Sequence, residues 1–169
     1  MPVGGVLMAL PYMTKQWSAR ADTVWIDFSK GLGAPMGACL AGSEETIDTA
    51  WLWKHRLGGA MRQSGLMAAA AIHALDYHVD RLADDHARAS RLAAALSGLG
   101  AEVVDPDTNM VFFDPRPCGV DGNEVVERLT ERGVRVSLIG NRVRAVTHLD
   151  VDDTDIDGAV AAFGEVLRR

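Results

Sequence analysis

Lysine is nearly missing from this chain: Lys15, Lys30 and Lys54 are the only three, against fourteen arginines in 169 residues. Basic character of any kind is short. A net charge of -6 and a pI near 5.3 leave no positive field for a phosphate backbone, which argues against nucleic acid as a partner. No basic stripe suggests a membrane surface either. Cysteine is almost as rare, and Cys39 and Cys118 form neither a C-x-x-C pair nor a zinc spacing, so a reducing cytoplasm is the expected compartment. Long apolar runs are also lacking. Met1 to Pro11 is apolar but has no charged leader region, and Pro11 and Tyr12 interrupt it well short of a spanning length. It reads as a helix or loop taken from a larger context. With 48% apolar residues and a mean hydropathy of +0.03, the rest reads as soluble and globular, with length for one domain or for part of a large domain plus a small one.

Against that scarcity the position of Lys30 stands out. The β-type run Thr23 to Phe28 packs Val24, Trp25, Ile26 and Phe28 around Asp27, as expected of a strand buried on both faces, and delivers Lys30 into a loop with Gly31, Gly33 and Pro35. Such a lysine suits Schiff-base chemistry if desolvation lowers its pKa. A surface lysine in a turn is the plainer alternative. The neighbouring glycines do not make a nucleotide loop, because Ser29-Lys-Gly-Leu-Gly33 reverses the order of a P-loop and lacks G-x-G-x-x-G.

Gly37 to Ala41 reads as a second strand, and Ser43 with Glu44 and Glu45 as the capped start of a helix reaching Gly58-Gly59. Trp51 and Trp53 cannot share a face of that helix, so one is expected to meet a partner subunit or another domain. Leu66 to Leu75 is apolar almost all round and predicts a helix buried on several sides. Val79 to Leu99 predicts a long amphipathic helix able to bridge two domains. Beyond Gly100 come strands at Ala101 to Val104 and Met110 to Phe113, then a helix from Glu124 to Arg132. Two more strands, Val134 to Leu138 and Val143 to Thr147, precede a last helix, Asp155 to Leu167. This β-β-α-β-β-α order predicts helices on one face of a small sheet, with the chain dividing near residue 100.

Two arginines invite anion binding. Arg62, in Gly58-Gly-Ala-Met-Arg-Gln-Ser-Gly65, precedes a helix start where free amides converge, although it could equally satisfy carbonyls at a domain junction. Arg144 alternates with Val143 and Ala145, so its guanidinium fork is held among apolar neighbours and suits a carboxylate; an internal salt bridge to a nearby aspartate is the commoner arrangement. His73 and His86 read as helix histidines, and no histidine pairs at metal-ligand spacing. Asp153-Thr-Asp-Ile-Asp-Gly158 starts like a calcium loop but fails at its twelfth position, Gly164, so its aspartates read as helix N-terminal acids.

Taken in order, Phe28-Ser-Lys-Gly-Leu-Gly-Ala-Pro35, Gly58-Gly-Ala-Met-Arg-Gln-Ser-Gly65, Asp107-Thr-Asn-Met-Val-Phe112 and Arg144-Ala-Val-Thr-His-Leu149 closely resemble the threonine aldolases, β-eliminating lyases among the fold-type I pyridoxal-phosphate enzymes. The resemblance implies an α/β fold: residues 1–99 as the C-terminal part of a large domain with its bridging helix, and 100–169 as a small α+β domain. It implies pyridoxal 5'-phosphate as cofactor, joined to Lys30 by a Schiff base, with Ser29 and Arg62 helping to bind it and Arg144 gripping the substrate carboxylate. The implied reaction splits a β-hydroxy-α-amino acid such as L-threonine into glycine and an aldehyde. Other β-eliminating lyase activity, or a non-catalytic fragment that works through subunit contacts, are the alternatives. The family's phosphate-binding Gly and Thr groups, ring-stacking histidine and pyridine-pairing aspartate have no match here. Weak or no activity alone is therefore expected, with a homo-oligomer or a missing N-terminal half as partner.

Overall fold

A computed structural model describes residues 19–168, so the apolar stretch Met1 to Pro11, and Lys15, lie outside the described residues. The chain divides between Leu82 and Ala83 into two compact units.

In the first unit, β1 (Thr23–Asp27) pairs antiparallel with β2 (Ala38–Gly42), Thr23 facing Gly42 and Asp27 facing Ala38. Helix α1 (Glu44–Arg56) begins where the Ser43 side chain accepts the Thr46 N–H, with Glu44 and Glu45 in the first turn and Lys54, His55 and Arg56 in the last. Both charge sets oppose the helix dipole. Helix α2 (Gly65–Tyr77) follows, and a small core gathers Leu32, Ala34, Ala74 and Leu82 with Ile26, Phe28 and Val79 around them.

Burial here departs from expectation. Strand β1 is nowhere buried on both faces; Thr23 and Trp25 are exposed, and Val24, Ile26 and Asp27 are half-buried. Helix α2 buries only Ala71 and Ala74, while Leu66, Ile72, Leu75 and Tyr77 are exposed. Trp51 and Trp53 on α1 are both exposed. The pattern of apolar residues calls for cover on several sides, and the described residues supply too few apolar partners to provide it.

The second unit closes on itself. Strands β3 (Glu102–Val104), β4 (Met110–Asp114), β5 (Ser137–Ile139) and β6 (Arg142–Val146) form an antiparallel sheet in the order β3-β4-β6-β5. Helices α3 (Leu82–Gly98), α4 (Gly122–Thr130) and α5 (Asp153–Leu167) contribute Leu92, Leu96, Val125, Leu129, Phe163 and Val166 to one core with Val111, Phe113 and Val143 of the sheet. Phe113 and Phe163 meet edge to face, their centroids 5.5 Å apart. The expected division near residue 100 thus falls earlier, because Ala89, Leu92, Ala93 and Leu96 of α3 are part of this second core.

Two local differences have clear causes. The strand expected from Val134 starts only at Ser137, since the Val134 N–H is taken by the Leu129 carbonyl, closing α4 around Gly133 at φ 77°. Between β4 and α4 the chain makes a short 3-10 turn, Arg116–Cys118, ended by Gly119 in the left-handed region. Cys39 and Cys118 are free thiols, and burial pushes the Cys118 thiol up.

Candidate functional site

The loop that carries Lys30 joins β1 to β2 and is held by hydrogen bonds along much of its length. Phe28 N–H donates to the Gly37 carbonyl, Ala34 N–H to Phe28, and Gly33 N–H to the carbonyl of Lys30 itself, each at 2.9 Å. Beyond that turn Gly33 takes φ 68°, a backbone conformation that favours glycine. Leu32 is buried and anchors the loop in the small core. From α2's C-terminal cap, His78 Nδ1 reaches the Leu32 carbonyl at 2.6 Å.

Asp27, at the end of β1, organises the approach to the lysine. Its Oδ1 accepts both the Ser29 hydroxyl (2.7 Å) and the Ser29 N–H (2.9 Å), and its Oδ2 lies 3.9 Å from Lys30 Nζ. The Ser29 hydroxyl foremost, then the Ser29 N–H and the Lys30 charge, hold the Asp27 carboxyl below the ordinary carboxylate range. The hydroxyl of Ser29 is therefore committed as a donor within the loop, leaving its oxygen as an acceptor. Asp27 carries no role in the sequence reading; the signal available was a carboxylate inside an otherwise apolar strand.

The Lys30 side chain is 74% exposed, so the desolvation expected for its amine is not provided by the described residues. What the loop does provide is a hydrogen-bonded backbone beneath an accessible amine that is paired, among those residues, only with Asp27. That donor fits covalent attachment of an aldehyde cofactor. Among the described residues, the groups that would hold a phosphate or a pyridine ring are not gathered around it.

Arg62 is exposed and makes no hydrogen bond or ion pair among the described residues. It directly precedes Gln63, whose φ of 51° is the one left-handed non-glycine conformation among them. Backbone held in that region is costly and marks a turn fixed by its surroundings.

Arg144 lies in the second unit on β6, opposite Phe112 and Ser137. As alternation predicts, Val143 and Ala145 face the core while Arg142, Arg144 and Val146 take the other face. Arg142 pairs with Glu102 at 3.6 Å, but Arg144 has no carboxylate partner among the described residues, and its Nε is buried without a hydrogen bond. The commoner internal salt bridge is thus not formed. A buried donor without a partner is costly and suits a ligand that supplies an acceptor.

The calcium-like aspartates serve α5. Asp152 caps it, accepting the Asp155 N–H at 2.9 Å, while Asp155 accepts the Asp152 N–H at 3.0 Å. His73 stacks near Tyr77 and meets His78 edge-on. No helix among the described residues is long and apolar enough to cross a membrane.

Comparison with known proteins gives this geometry its setting. The model of the beta-eliminating lyases matches residues 7–116. The low specificity L-threonine aldolase of Escherichia coli K12 is 38% identical over 155 residues, covering 92% of this chain and 46% of that protein. The low-specificity L-threonine aldolase of Candida albicans is 35% identical over 154 residues, covering 90% and 40%. A proposed aromatic amino acid beta-eliminating lyase/threonine aldolase from Exiguobacterium shares the fold, with a TM-score of 0.70 at 24% identity over 96% of this chain and 51% of that one. The chain spans about half the length of the curated relatives it matches.

Proposed function

Because the chain belongs to the beta-eliminating lyase family, we propose that it carries the lysine-bearing and carboxylate-binding portion of a pyridoxal-phosphate-dependent aldolase. The substrate would be L-threonine or a related β-hydroxy-α-amino acid, and the products glycine and an aldehyde. The observation that carries this reading is the pinned β1–β2 loop, which presents a single accessible amine at a strand end. Fold-type I architecture fits the solved neighbours.

When bound, pyridoxal phosphate supplies an electron sink for breaking the Cα–Cβ bond. Lys30 holds that cofactor covalently through Nζ. Asp27 keeps Ser29 and the loop backbone in place beside it. Arg144 offers its unpaired Nε to the substrate carboxylate, orienting the scissile bond. Arg62 offers an uncommitted guanidinium to the cofactor phosphate. The chain spans about half of its relatives, and the phosphate cup and ring partner have no counterpart in its motifs. A homo-oligomer or a complementing chain would supply the remaining groups of the site. Two free cysteines fit the cytoplasm.

The test is reductive trapping. Incubation with pyridoxal phosphate and cyanoborohydride, followed by peptide mass analysis, should label Lys30 ahead of Lys54, and Lys30→Ala should lose that label. Equal labelling of the two lysines overturns the assignment. Aldehyde release from threonine and phenylserine then separates aldolase from other lyase activity. A second reading, a non-catalytic subunit-interaction fragment, is favoured by the exposed apolar residues of α1 and α2. Tight association with a full-length relative, without trapping at Lys30, would support it.

A further inference from the structure

His78 is absent from every role assigned above, yet its side chain makes the one long-range side-chain hydrogen bond into the lysine loop among the described residues. Its Nδ1 lies 2.6 Å from the Leu32 carbonyl, 46 positions earlier in the chain, in a half-buried setting. A carbonyl can only accept, so Nδ1 must carry the hydrogen. The other loop contacts join residues within the β1–β2 connection itself or its ends: Phe28 with Gly37, Ala34 with Phe28, Gly33 with Lys30. They shape the loop without attaching it to a helix. The His78 bond attaches it to the C-terminal cap of α2, two residues beyond Lys30, and the same cap sits beside Val79 and Leu82, which pack with Leu32.

We propose that His78 is a positioning residue for Lys30, holding the Leu32 peptide so that the Lys30 amine is presented in one direction. The inference rests on the proposed covalent role of Lys30. Removing the donor leaves the Leu32 carbonyl without its helix partner and loosens the Leu32–Gly33 peptide, while the bonds of Gly33 to Lys30 and of Ala34 to Phe28 remain. The lysine's chemistry is then unchanged but its placement is not.

His78→Phe keeps the ring volume and deletes the donor; His78→Asn puts an amide nitrogen close to where Nδ1 lies. In the trapping experiment above, Lys54 in the same chain is the internal standard. Loss of one such bond should lower the Lys30 to Lys54 labelling ratio about fivefold in His78→Phe, with recovery in His78→Asn. Amide hydrogen exchange of the peptide covering residues 29–34 should rise in His78→Phe and return in His78→Asn, while Val111 to Phe113 in the second core stays protected. A labelling ratio or loop exchange in His78→Phe equal to the starting protein overturns the positioning role and leaves the assignment of Lys30 standing. No preference for Lys30 in the starting protein removes the assignment and this inference with it. A variant in which both peptides lose protection has unfolded globally, and the labelling ratio and loop exchange of His78→Asn, set against a donorless His78→Leu, then decide between the same outcomes.

Discussion

The two units apply the same kind of sequence to opposite ends. Residues 83–168 turn apolar alternation into a closed interior in which Val111, Phe113, Val125, Leu129, Val143 and Val166 are fully covered. The described residues of the first unit are at least as apolar in their helices, yet Leu57 is 79% and Leu66 71% exposed, and the buried core is four residues. Self-sufficiency therefore differs between them. The second unit contains both faces of its core, whereas the first displays surface that a folded protein normally covers. The contrast shows what each leaves open: in the first, a hydrogen-bonded loop on an open scaffold; in the second, one arginine unsatisfied on an otherwise settled sheet.

The largest effect that could break this contrast comes from the second core. Phe113→Ala should cost roughly 3–5 kcal/mol in denaturant unfolding, because it removes half of the Phe113–Phe163 contact and leaves a cavity. A cost below 1 kcal/mol, on the order of a surface change, would show that the core is not closed.

Next in size is an acid transition in the second unit. Arg116 donates Nε to both oxygens of Asp114, and these side-chain bonds, with the Arg116 N–H, hold the carboxyl at about 2. A depressed pKa contributes stability that is complete above the ordinary value of 3.8 and is lost as the pH falls to about 2. Unfolding midpoints measured across that window should fall in the starting protein and fall less in Asp114→Asn.

Asp152→Ala should cost about 1 kcal/mol by removing the carboxylate that accepts the Asp155 N–H, while the Asp152 N–H can still donate to Asp155. Thermal unfolding followed by circular dichroism would register it. The smallest stability effect belongs to the first unit. Trp53→Ser should change unfolding by less than about 0.5 kcal/mol, since that side chain is exposed. Sedimentation should nonetheless show less self-association, and an unchanged sedimentation profile would count against the uncovered face as the driver.

How much of this was legible depends on where the partners of each residue lie. The second unit's strands and helices follow from alternation and caps, and Arg144's place among Val143 and Ala145 was readable because β6 obeys a period of two. Local signals also placed Ser43 at the head of α1. Burial in the first unit was not readable, because an apolar pattern states a demand for cover and says nothing of whether the chain meets it. Val134 misled for a local reason: its N–H serves a helix end that propensity does not weigh. The division at Leu82 escaped notice because the pattern of α3 gives its apolar face but not which core receives it. His78 was invisible for a different reason, since a bond across 46 positions leaves no periodic trace.

The two sheets also differ at their margins. In the second unit the outer strands, Glu102–Val104 and Ser137–Ile139, are three residues each, too short to template much. Strands β1 and β2 run five residues, and among the described residues each pairs on one side only. Open backbone donors and acceptors of that length accept a further strand readily. An incoming extended segment, whether from a complementing polypeptide or from a misfolded neighbour, would therefore enlist beside the lysine loop first. The same open edge that admits a helper admits a contaminant.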